Sequence, residues 1–233
     1  MTKKINNKNK FDYIILGGGC AGLSLAYHLS MSQKLKQKSL CIIEKRDLYE
    51  RDKTWSFWNL GNSTFEDCAI KTWNSFIIST SKKSTVVDCK KFPYISIDSN
   101  LFYKKILKHL KSNKNIKFLK SKSDVNLNHG IIFNSLPKPI PNGSREYYQH
   151  FYGIEIQTDR AYFDPNQLHL MDFADTDEGV HFFYTLPYSE DKALIETTWI
   201  SKKNKCTKKD YLNQIKGYMK DKLKIDDYNI KFS

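Results

Sequence analysis

The sequence predicts an α/β protein that combines a nucleotide-binding βαβ unit with an inserted, mostly antiparallel β-sheet. Near the N-terminus an apolar strand, a glycine-rich turn, a helical stretch and a second apolar strand follow one another, which is the order of a βαβ unit. Farther along, short segments of alternating apolar and polar residues are separated by turn residues, as is typical of antiparallel strands. With 233 residues, of which 40% are hydrophobic, the chain is long enough to bury a sizeable core.

The two strands of the βαβ unit are predicted at residues 12–16 and 40–43, on either side of a helix over 20–31. Residues 1–10 are polar and basic and are expected to form a flexible tail. The other predicted elements are, in chain order, a hairpin over 76–80 and 85–88, a helix from Asp98 or Ser99 to about 110, strands at 116–119 and 130–133, a proline-containing loop at 136–143, strands at 148–157, 180–185 and 193–199, a helix from 207 to about 223 and a strand at 228–232.

The formal net charge of +13 favours anionic partners. Arginine, which nucleic-acid readers use for bidentate base contacts, occupies only positions 46, 51, 145 and 160. We therefore interpret the charge as a general compositional tilt and predict no nucleic-acid partner.

Cysteine spacing and hydropathy exclude several other classes. The five cysteines are odd in number and none forms a CxxC pair, so reduced thiols are expected and neither a disulfide framework nor a metal site is predicted. No apolar run approaches the ~20 residues of a membrane-spanning helix. The basic, polar N-terminus does not have the apolar region of a signal peptide, so a cytoplasmic protein is expected.

The glycine turn carries the first functional signal, because Gly17, Gly19 and Gly22 fit the pattern G-x-G-x-x-G between a strand and a helix. The first glycine permits a tight turn, the second lets a pyrophosphate approach the backbone, and the third lets the helix pack closely on the strand. The helix N-terminus offers free N–H groups to the phosphates. Glu44 ends the second strand 22 residues after Gly22, close to the spacing at which an acid binds ribose hydroxyls.

An acid at position 44 favours an unphosphorylated ribose, as in FAD or NAD, over NADP. The alternative is a tight glycine turn without a ligand, with Glu44 as an ordinary surface acid. The complete order of strand, turn, helix and strand favours the dinucleotide site.

Further segments resemble the lycopene cyclase family, whose FAD-binding start is similar to residues 12–29. They follow one another in the order found in that family: Thr54–Trp58 (TWSFW), 149–153 (QHFYG), 163–165 (FDP), 170–173 (LMDF), 183–187 (FYTLP) and 194–198 (LIETT). Each segment is short, but their common order and spacing over residues 12–201 make the resemblance specific.

The resemblance implies a Rossmann-like FAD/NAD(P)-binding domain with an inserted, mostly antiparallel β-sheet substrate region. We assign the FAD-binding βαβ region with inserted elements to residues 11–145 and a β-rich substrate-cavity region to 146–233. The implied enzyme is a lycopene β-cyclase of carotenoid biosynthesis, which closes β-ionone rings on lycopene without net redox change. Its cofactors would be reduced FAD and, as electron source, NAD(P)H. Because a carotene lives in a bilayer, association with an anionic membrane surface is also expected.

Glu196 is the implied catalytic acid, because it stands in the segment that resembles the family's acidic motif. A carboxyl held in an apolar pocket has a raised pKa and can act as a general acid. The alternative, on strand alternation alone, is an exposed acid on a strand edge. Many family members carry a second acid at the next position, where this chain has Thr197, so a mechanism with two adjacent acids is not expected.

Four further residues are candidates for the substrate cavity: Asp172, Trp55, Phe57 and Tyr184. For Asp172 the alternative is a turn or hydrogen-bonding role, and for Trp55 and Phe57 it is an ordinary core role. Aromatic faces such as that of Tyr184 can stabilise a cation.

Two other functions remain open. A different FAD-dependent hydroxylase or reductase of a hydrophobic isoprenoid would share the glycine turn but would not need an acid at Glu196. A non-catalytic remnant of a cyclase is the other. Members of the family continue well past this length with a second flavin-contacting glycine motif, so the pocket of this chain is expected to be incomplete at its C-terminal end.

Overall fold

The computed structural model describes residues 8–61, 64–137, 147–202 and 206–233. The tail up to residue 7 and the loop from residue 138 to 143 therefore lie outside the described residues. The helices and strands are β1 (Tyr13–Leu16), α1 (Cys20–Met31), β2 (Leu40–Ile43), β3 (Thr54–Trp58), β4 (Ala69–Trp73), β5 (Ser75–Ser79), β6 (Ser84–Asp88), β7 (Tyr94–Asp98), α2 (Ser99–Ser112), β8 (Ile116–Leu119), β9 (Ile131–Asn134), β10 (Tyr148–Gln157), β11 (Leu168–Ala174), β12 (Gly179–Pro187), β13 (Lys192–Ser201), α3 (Lys208–Tyr218) and β14 (Asn229–Phe232).

The chain divides into two compact units. The first comprises the described residues within 1–54 and 98–140, and the second those within 55–97 and 141–233. Residues 55–97, which the sequence analysis included as inserted elements in the 11–145 region, therefore cluster with the C-terminal sheet.

The first unit is built on a four-stranded parallel sheet in the order β8-β2-β1-β9. Every residue of β2 is buried, as is expected for a short apolar run in a parallel sheet covered on both faces. The helix α1 packs against β1, β2 and α2. The carboxyl ends of the parallel strands meet at one edge of the sheet, where open α/β sheets bind their ligands.

The helix α2 begins where the sequence analysis placed its cap. The Asp98 carboxylate accepts hydrogen bonds from the backbone N–H groups of Asn100 and Leu101 and so satisfies two donors that the first turn leaves unpaired. Phe102, Ile106 and Leu110 are buried on the face that anchors the helix.

The second unit contains a seven-stranded sheet in the order β14-β10-β13-β12-β11-β5-β6 and a three-stranded sheet in the order β3-β7-β4. All pairs of the larger sheet are antiparallel except β11 with β5. The prediction of an α/β protein with a largely antiparallel second sheet is confirmed. Strand β13 lies in the interior of the sheet, between β10 and β12.

The two faces of the larger sheet support two hydrophobic clusters. On one face, Ile154, Phe183 and Ile195 pack with Ile215 and Met219 from α3 and the π-helical turn that follows it. On the opposite face lies a second cluster, formed by Trp73, Phe76, Leu168, Leu170 and Leu186, against which Tyr94, Tyr184, Tyr188 and Leu194 pack. Within the described ranges, no helix has the length and apolar character required to cross a bilayer.

Candidate functional site

The predicted site residues fall into two groups, a glycine turn with Glu44 in the first unit and a partly buried carboxyl, Glu196, in the second. Gly17 follows β1 with a φ of +100°, a left-handed conformation that favours glycine. Its N–H donates to the carbonyl of Ile43 at 2.9 Å, which ties the turn to the end of β2. The turn thus begins at the sheet edge formed by the carboxyl ends of the strands.

An added side chain would have different consequences at Gly19 and at Gly22. A β-carbon at Gly22 would collide with the carbonyl oxygen of Gly17, so the third glycine lets α1 pack closely on the turn. A β-carbon at Gly19 would have no neighbour within 4 Å among the described residues. Gly19 therefore leaves its backbone open to a ligand, and the N–H groups of the first turn of α1 lie beside it.

Glu44 is held in the turn by backbone and side-chain donors. Its Oε2 accepts from the N–H of Gly18 at 2.8 Å, and its Oε1 accepts from the N–H of Arg46 at 2.9 Å. Although burial acts to raise the pKa of the Glu44 carboxyl, these N–H groups and the Arg46 guanidinium together lower it below its ordinary value. Glu44 is thus an ionised hydrogen-bond acceptor.

A cavity of about 520 Å³ opens beside this turn at the carboxyl ends of the parallel strands, and its volume is in the range of small-ligand sites. The Tyr49 hydroxyl is buried near Gly18 and has no hydrogen-bond partner among the described residues. The residues lining the cavity come from the ends of the strands and the loops after them: Leu16, Gly17, Ile43, Glu44, Lys45, Lys120, Ser121, Lys122 and Leu136.

Glu196 lies on β13 directly between Gly153 of β10 and Tyr184 of β12 in the register of the sheet. Its Oε1 accepts a hydrogen bond from the Thr198 hydroxyl at 2.9 Å. Leu194, on the same face of the strand, packs into the second cluster. Glu196 is therefore a partly buried acid on an interior strand, and not an exposed acid on a strand edge.

Burial raises the pKa of the Glu196 carboxyl above its ordinary value of 4.5, although the Thr198 hydroxyl acts in the opposite direction. Burial, followed by the charge of Glu196, also raises the pKa of Tyr184. Burial is the largest cause of the raised pKa of Tyr94 as well, to which the charges of Tyr184 and Glu196 contribute. The carboxyl thus faces two aromatic phenols in an apolar setting, as a general acid requires.

We expect the Glu196→Gln variant to become more stable than the wild type as the pH rises. Because the folded-state pKa of Glu196 is raised, the contribution of this side chain to stability is fully present below about pH 4.5 and is lost as the pH rises through the folded-state pKa. Glutamine has no charge to desolvate and can still accept from Thr198. The difference in thermal unfolding midpoint between variant and wild type should therefore grow with pH from about 4.5 upward, and a difference that shrinks would contradict the assignment.

Asp172 lies on the other face of the sheet from Glu196, since it pairs with Phe183 and not with Tyr184. Its carboxylate is 4% exposed. It accepts from the Tyr218 hydroxyl at 3.0 Å, and Lys222 Nζ lies 3.6 Å from its other oxygen. The structure thus shows Asp172 in the hydrogen-bonding role that was its alternative, holding α3 and the following turn on the sheet. A cavity role for Asp172 stays a prediction.

Removing the Tyr218 hydroxyl should destabilise the protein, because it leaves the Asp172 carboxylate buried without that donor. We expect Tyr218→Phe to reduce the free energy of unfolding by about 1–3 kcal/mol in urea titrations. Lys222→Met is the matched comparison, since the lysine side chain is 53% exposed and its ion pair with Asp172 should contribute less than about 1 kcal/mol. A larger loss for Lys222→Met than for Tyr218→Phe would contradict this order.

Trp55 and Phe57 lie on β3, where both are partly buried. Strand alternation places them on the opposite side from Trp58, whose ring lies 4.9 Å from that of Tyr94 and 5.2 Å from that of Phe76. Trp58 of this strand thus contacts Tyr94, one of the aromatic rings near Glu196. The roles of Trp55 and Phe57 stay predictions.

Three residues of the site were not predicted as functional candidates from the sequence: Tyr94, Gly153 and Arg46. Tyr94 is far from Glu196 in the chain, and nothing in its local pattern indicates that the two meet. Gly153 belongs to the QHFYG segment but carried no role there. Arg46 could have been found, because it follows Glu44 by two residues; its guanidinium lies over the Tyr49 ring at 4.6 Å and contacts the Gly18 carbonyl at 2.9 Å.

A family model described as "Lycopene cyclase protein" matches residues 12–231. The chain is also 24% identical over 234 aligned positions to a capsanthin/capsorubin synthase, chromoplastic, from Citrus sinensis. That match covers 83% of this chain and 44% of the synthase, so the chain spans less than half the length of this curated relative.

Solved structures with the same fold include enzymes described as flavin-dependent. A geranylgeranyl bacteriochlorophyll reductase-like protein from Thermoplasma acidophilum superposes with a TM-score of 0.68 at 12% identity, covering 94% of this chain and 64% of that one. The flavin-dependent brominase Bmp2 gives 0.66 at 11% identity, covering 97% and 66%. A variant of Klebsiella pneumoniae HpxO, complexed with FAD, gives 0.58 at 11% identity, covering 95% and 70%. These likenesses establish an FAD-dependent oxidoreductase-like fold.

Proposed function

We propose, from the premise that the chain belongs to the lycopene cyclase protein family, that it takes part in acid-initiated, redox-neutral cyclisation of the ends of lycopene to β-ionone rings. The observation that carries this proposal is the Glu196 carboxyl, partly buried on an interior strand with an elevated pKa and facing Tyr184 and Tyr94. An acid of this kind is what protonation of an unactivated double bond requires, and the shared oxidoreductase-like fold alone does not call for it.

The face of the sheet that carries Glu196 also suits a hydrocarbon substrate. Phe151, Val180 and Ile200 lie on this face and are 56%, 41% and 37% exposed. Exposed apolar side chains that cluster on one face mark binding surfaces. A carotene, which is a hydrocarbon without polar groups, is the substrate class that fits them.

The proposed steps conserve atoms and electrons. The Glu196 carboxyl gives its proton to a carbon of the terminal double bond, and the cation that forms at the neighbouring carbon is attacked by the next double bond to close the ring. A proton then leaves the ring and restores the proton count, so no electron is gained or lost. The aromatic faces of Tyr184 and Tyr94 can stabilise the cation.

The first unit fits the ADP half of FAD. The open backbone at Gly19, the left-handed turn at Gly17 and the N-terminus of α1 suit the pyrophosphate, and the ionised Glu44 suits the ribose hydroxyls. The buried Tyr49 hydroxyl, which has no hydrogen-bond partner among the described residues, lies beside Gly18. When bound and reduced, with NAD(P)H as the proposed electron source, the flavin would supply an electron-rich ring that could stabilise a cation without net electron transfer.

Association with a membrane surface belongs to the same proposal. A carotene partitions into the bilayer, and a net charge of +13 attracts a protein to anionic lipid headgroups. This attraction should weaken as the salt concentration rises.

The test is expression of the chain in cells that accumulate lycopene, followed by separation of the carotenoids. The proposal expects monocyclic or bicyclic carotenes in these cells and none in cells that express the Glu196→Gln variant. Hydroxylated or hydrogenated carotenoids instead would favour a flavin-dependent hydroxylase or reductase. Unchanged lycopene in the presence of folded, FAD-containing protein would contradict cyclisation by this chain alone.

A further inference from the structure

The two oxygens of the Glu196 carboxyl have different surroundings. Oε1 accepts the hydrogen bond from the Thr198 hydroxyl at 2.9 Å. Oε2 lies on the side of Gly153, where an added β-carbon would come within 3.3 Å of it. Within the described ranges, no hydrogen-bond donor of the protein reaches Oε2.

The surroundings of Thr198 decide which oxygen carries the proton. Thr198 is fully buried, and its hydroxyl has Glu196 Oε1 as its hydrogen-bond acceptor in the described part of the chain. A proton on Oε1 would turn the threonine oxygen into the acceptor and leave its own hydrogen unpaired in a buried place, which is costly. The neutral acid therefore has Oε1 as its carbonyl oxygen and its O–H on Oε2.

Gly153 determines what lies next to that O–H. It is partly exposed on β10, and the pairing of β10 with β14 begins only at Glu155. A methyl group at position 153 would lie 3.2 Å from Leu194 Cδ1 and 3.3 Å from both Cβ and Oε2 of Glu196, which is tighter than an ordinary van der Waals contact. The absence of a side chain at position 153 thus gives Oε2 its room on this side of the carboxyl.

We propose that Thr198 and Gly153 are positioning residues of the cyclisation: Thr198 fixes the acidic proton on Oε2 of Glu196, and Gly153 keeps open the side from which the substrate double bond approaches that oxygen. The inference rests on the proposed function, because it concerns the acid of that reaction. It adds a direction of proton delivery, over Gly153 and away from Thr198. Tyr184 and Tyr94 are the titratable groups that face the carboxyl from β12 and β7.

The test is a carboxyl titration followed by NMR on protein labelled with ¹³C at the glutamate side-chain carboxyls, with the Glu196 signal assigned by its loss in Glu196→Gln. Thr198→Val should move the midpoint of Glu196 upward, because the hydroxyl that stabilises the charged form is lost, whereas Thr198→Ser should leave it near that of the wild type. Gly153→Ala should also raise the midpoint by excluding water. Gly217→Ala, whose β-carbon would have no neighbour within 4 Å among the described residues, should change nothing.

The same variants are then assayed for ring closure. Gly153→Ala should lower the rate by about 10²-fold, as expected when an approach is displaced by an ångström or so. Thr198→Val should shift the alkaline limb of the pH–rate profile to higher pH, and Thr198→Ser should restore the wild-type profile. An unchanged Glu196 midpoint in Thr198→Val, or full activity in Gly153→Ala, would overturn the proposal.

A measurement on the unmodified chain tests the same assignment if Thr198→Val does not fold. The infrared carbonyl stretch of the protonated Glu196 should have the lower frequency of a hydrogen-bonded acid, and the frequency of a free acid would overturn the assignment of Oε1. Failure of the proposed function has a different signature: the wild-type chain would form no cyclised carotene, or Glu196→Gln would still form it, while the titration and infrared results stood.

Discussion

Replacement of Glu196 by glutamine should reduce the rate of ring closure by about 10²–10⁴-fold, the usual contribution of a positioned general acid. Glutamine keeps the size of the side chain and can still accept the hydrogen bond from Thr198, but it has no acidic proton to give. The loss should therefore appear in turnover, with the folding of the sheet and the retention of the cofactor unchanged. The measurement is the initial rate of cyclised carotene formation by variant and wild type at the same level of folded protein.

Glu190→Gln is the matched control for this prediction. Glu190 lies in the connection between β12 and β13, so the same Glu→Gln substitution can be made in the same hairpin. Its side chain, however, is exposed to solvent. We expect its rate to equal that of the wild type. Equal losses in Glu190→Gln and Glu196→Gln would show that charge or folding, and not the acid at position 196, determines activity.

The second large effect concerns the glycine turn, where a valine at either of two glycine positions should abolish FAD binding for different reasons. Gly19→Val should fold normally but lose FAD, because a side chain would occupy the open space that a pyrophosphate needs. A steric conflict of this kind costs about 1–3 kcal/mol, or about 5–150-fold in affinity. Gly22→Val should lose both FAD and thermal stability, because its side chain collides with the Gly17 carbonyl inside the fold.

Flavin retention after gel filtration and the thermal unfolding midpoint without FAD separate the two variants. Gly217→Val, on α3, is the control that should retain FAD and stability, since its β-carbon meets no neighbour among the described residues. Unchanged flavin retention in Gly19→Val would remove the assignment of this turn to the cofactor.

The glycine turn was predictable because its sequence pattern is local. Gly17, Gly19, Gly22 and Glu44 were named from spacing alone, and the structure places them together at one edge of the parallel sheet. The strands at 116–119 and 148–157 were likewise predicted with the bounds that the structure shows. In each case the residue pattern that predicts the turn or strand lies within one continuous segment of the chain.

Several strands were not predicted because they lack alternation. In β7 the buried Ser96 stands between Ile95 and Ile97, which are also buried, so the segment has no polar face. In β4 the apolar Ile70 is exposed while Trp73 is fully buried. Such strands are recognised only once their neighbours in the sheet are known.

The surroundings of Glu196 could not be predicted from the local sequence. Glu196 was singled out through the resemblance, since alternation alone favoured an exposed acid. Its burial depends on the register that sets it between Gly153 and Tyr184 and on the packing of Tyr94 from another sheet. The separation of Asp172 from Glu196 onto opposite faces depends on the same register, which a single sequence does not reveal.

The most direct test of proton delivery by Glu196 is cyclisation in heavy water. Purified chain, with FAD, NAD(P)H and lycopene in lipid vesicles, is transferred to D₂O buffer, and the products are analysed by mass spectrometry. The account predicts one deuterium added per ring closed by the wild type and no cyclised product with Glu196→Gln. Rings without deuterium, or equal deuterated product from the Glu196→Gln variant, would contradict it.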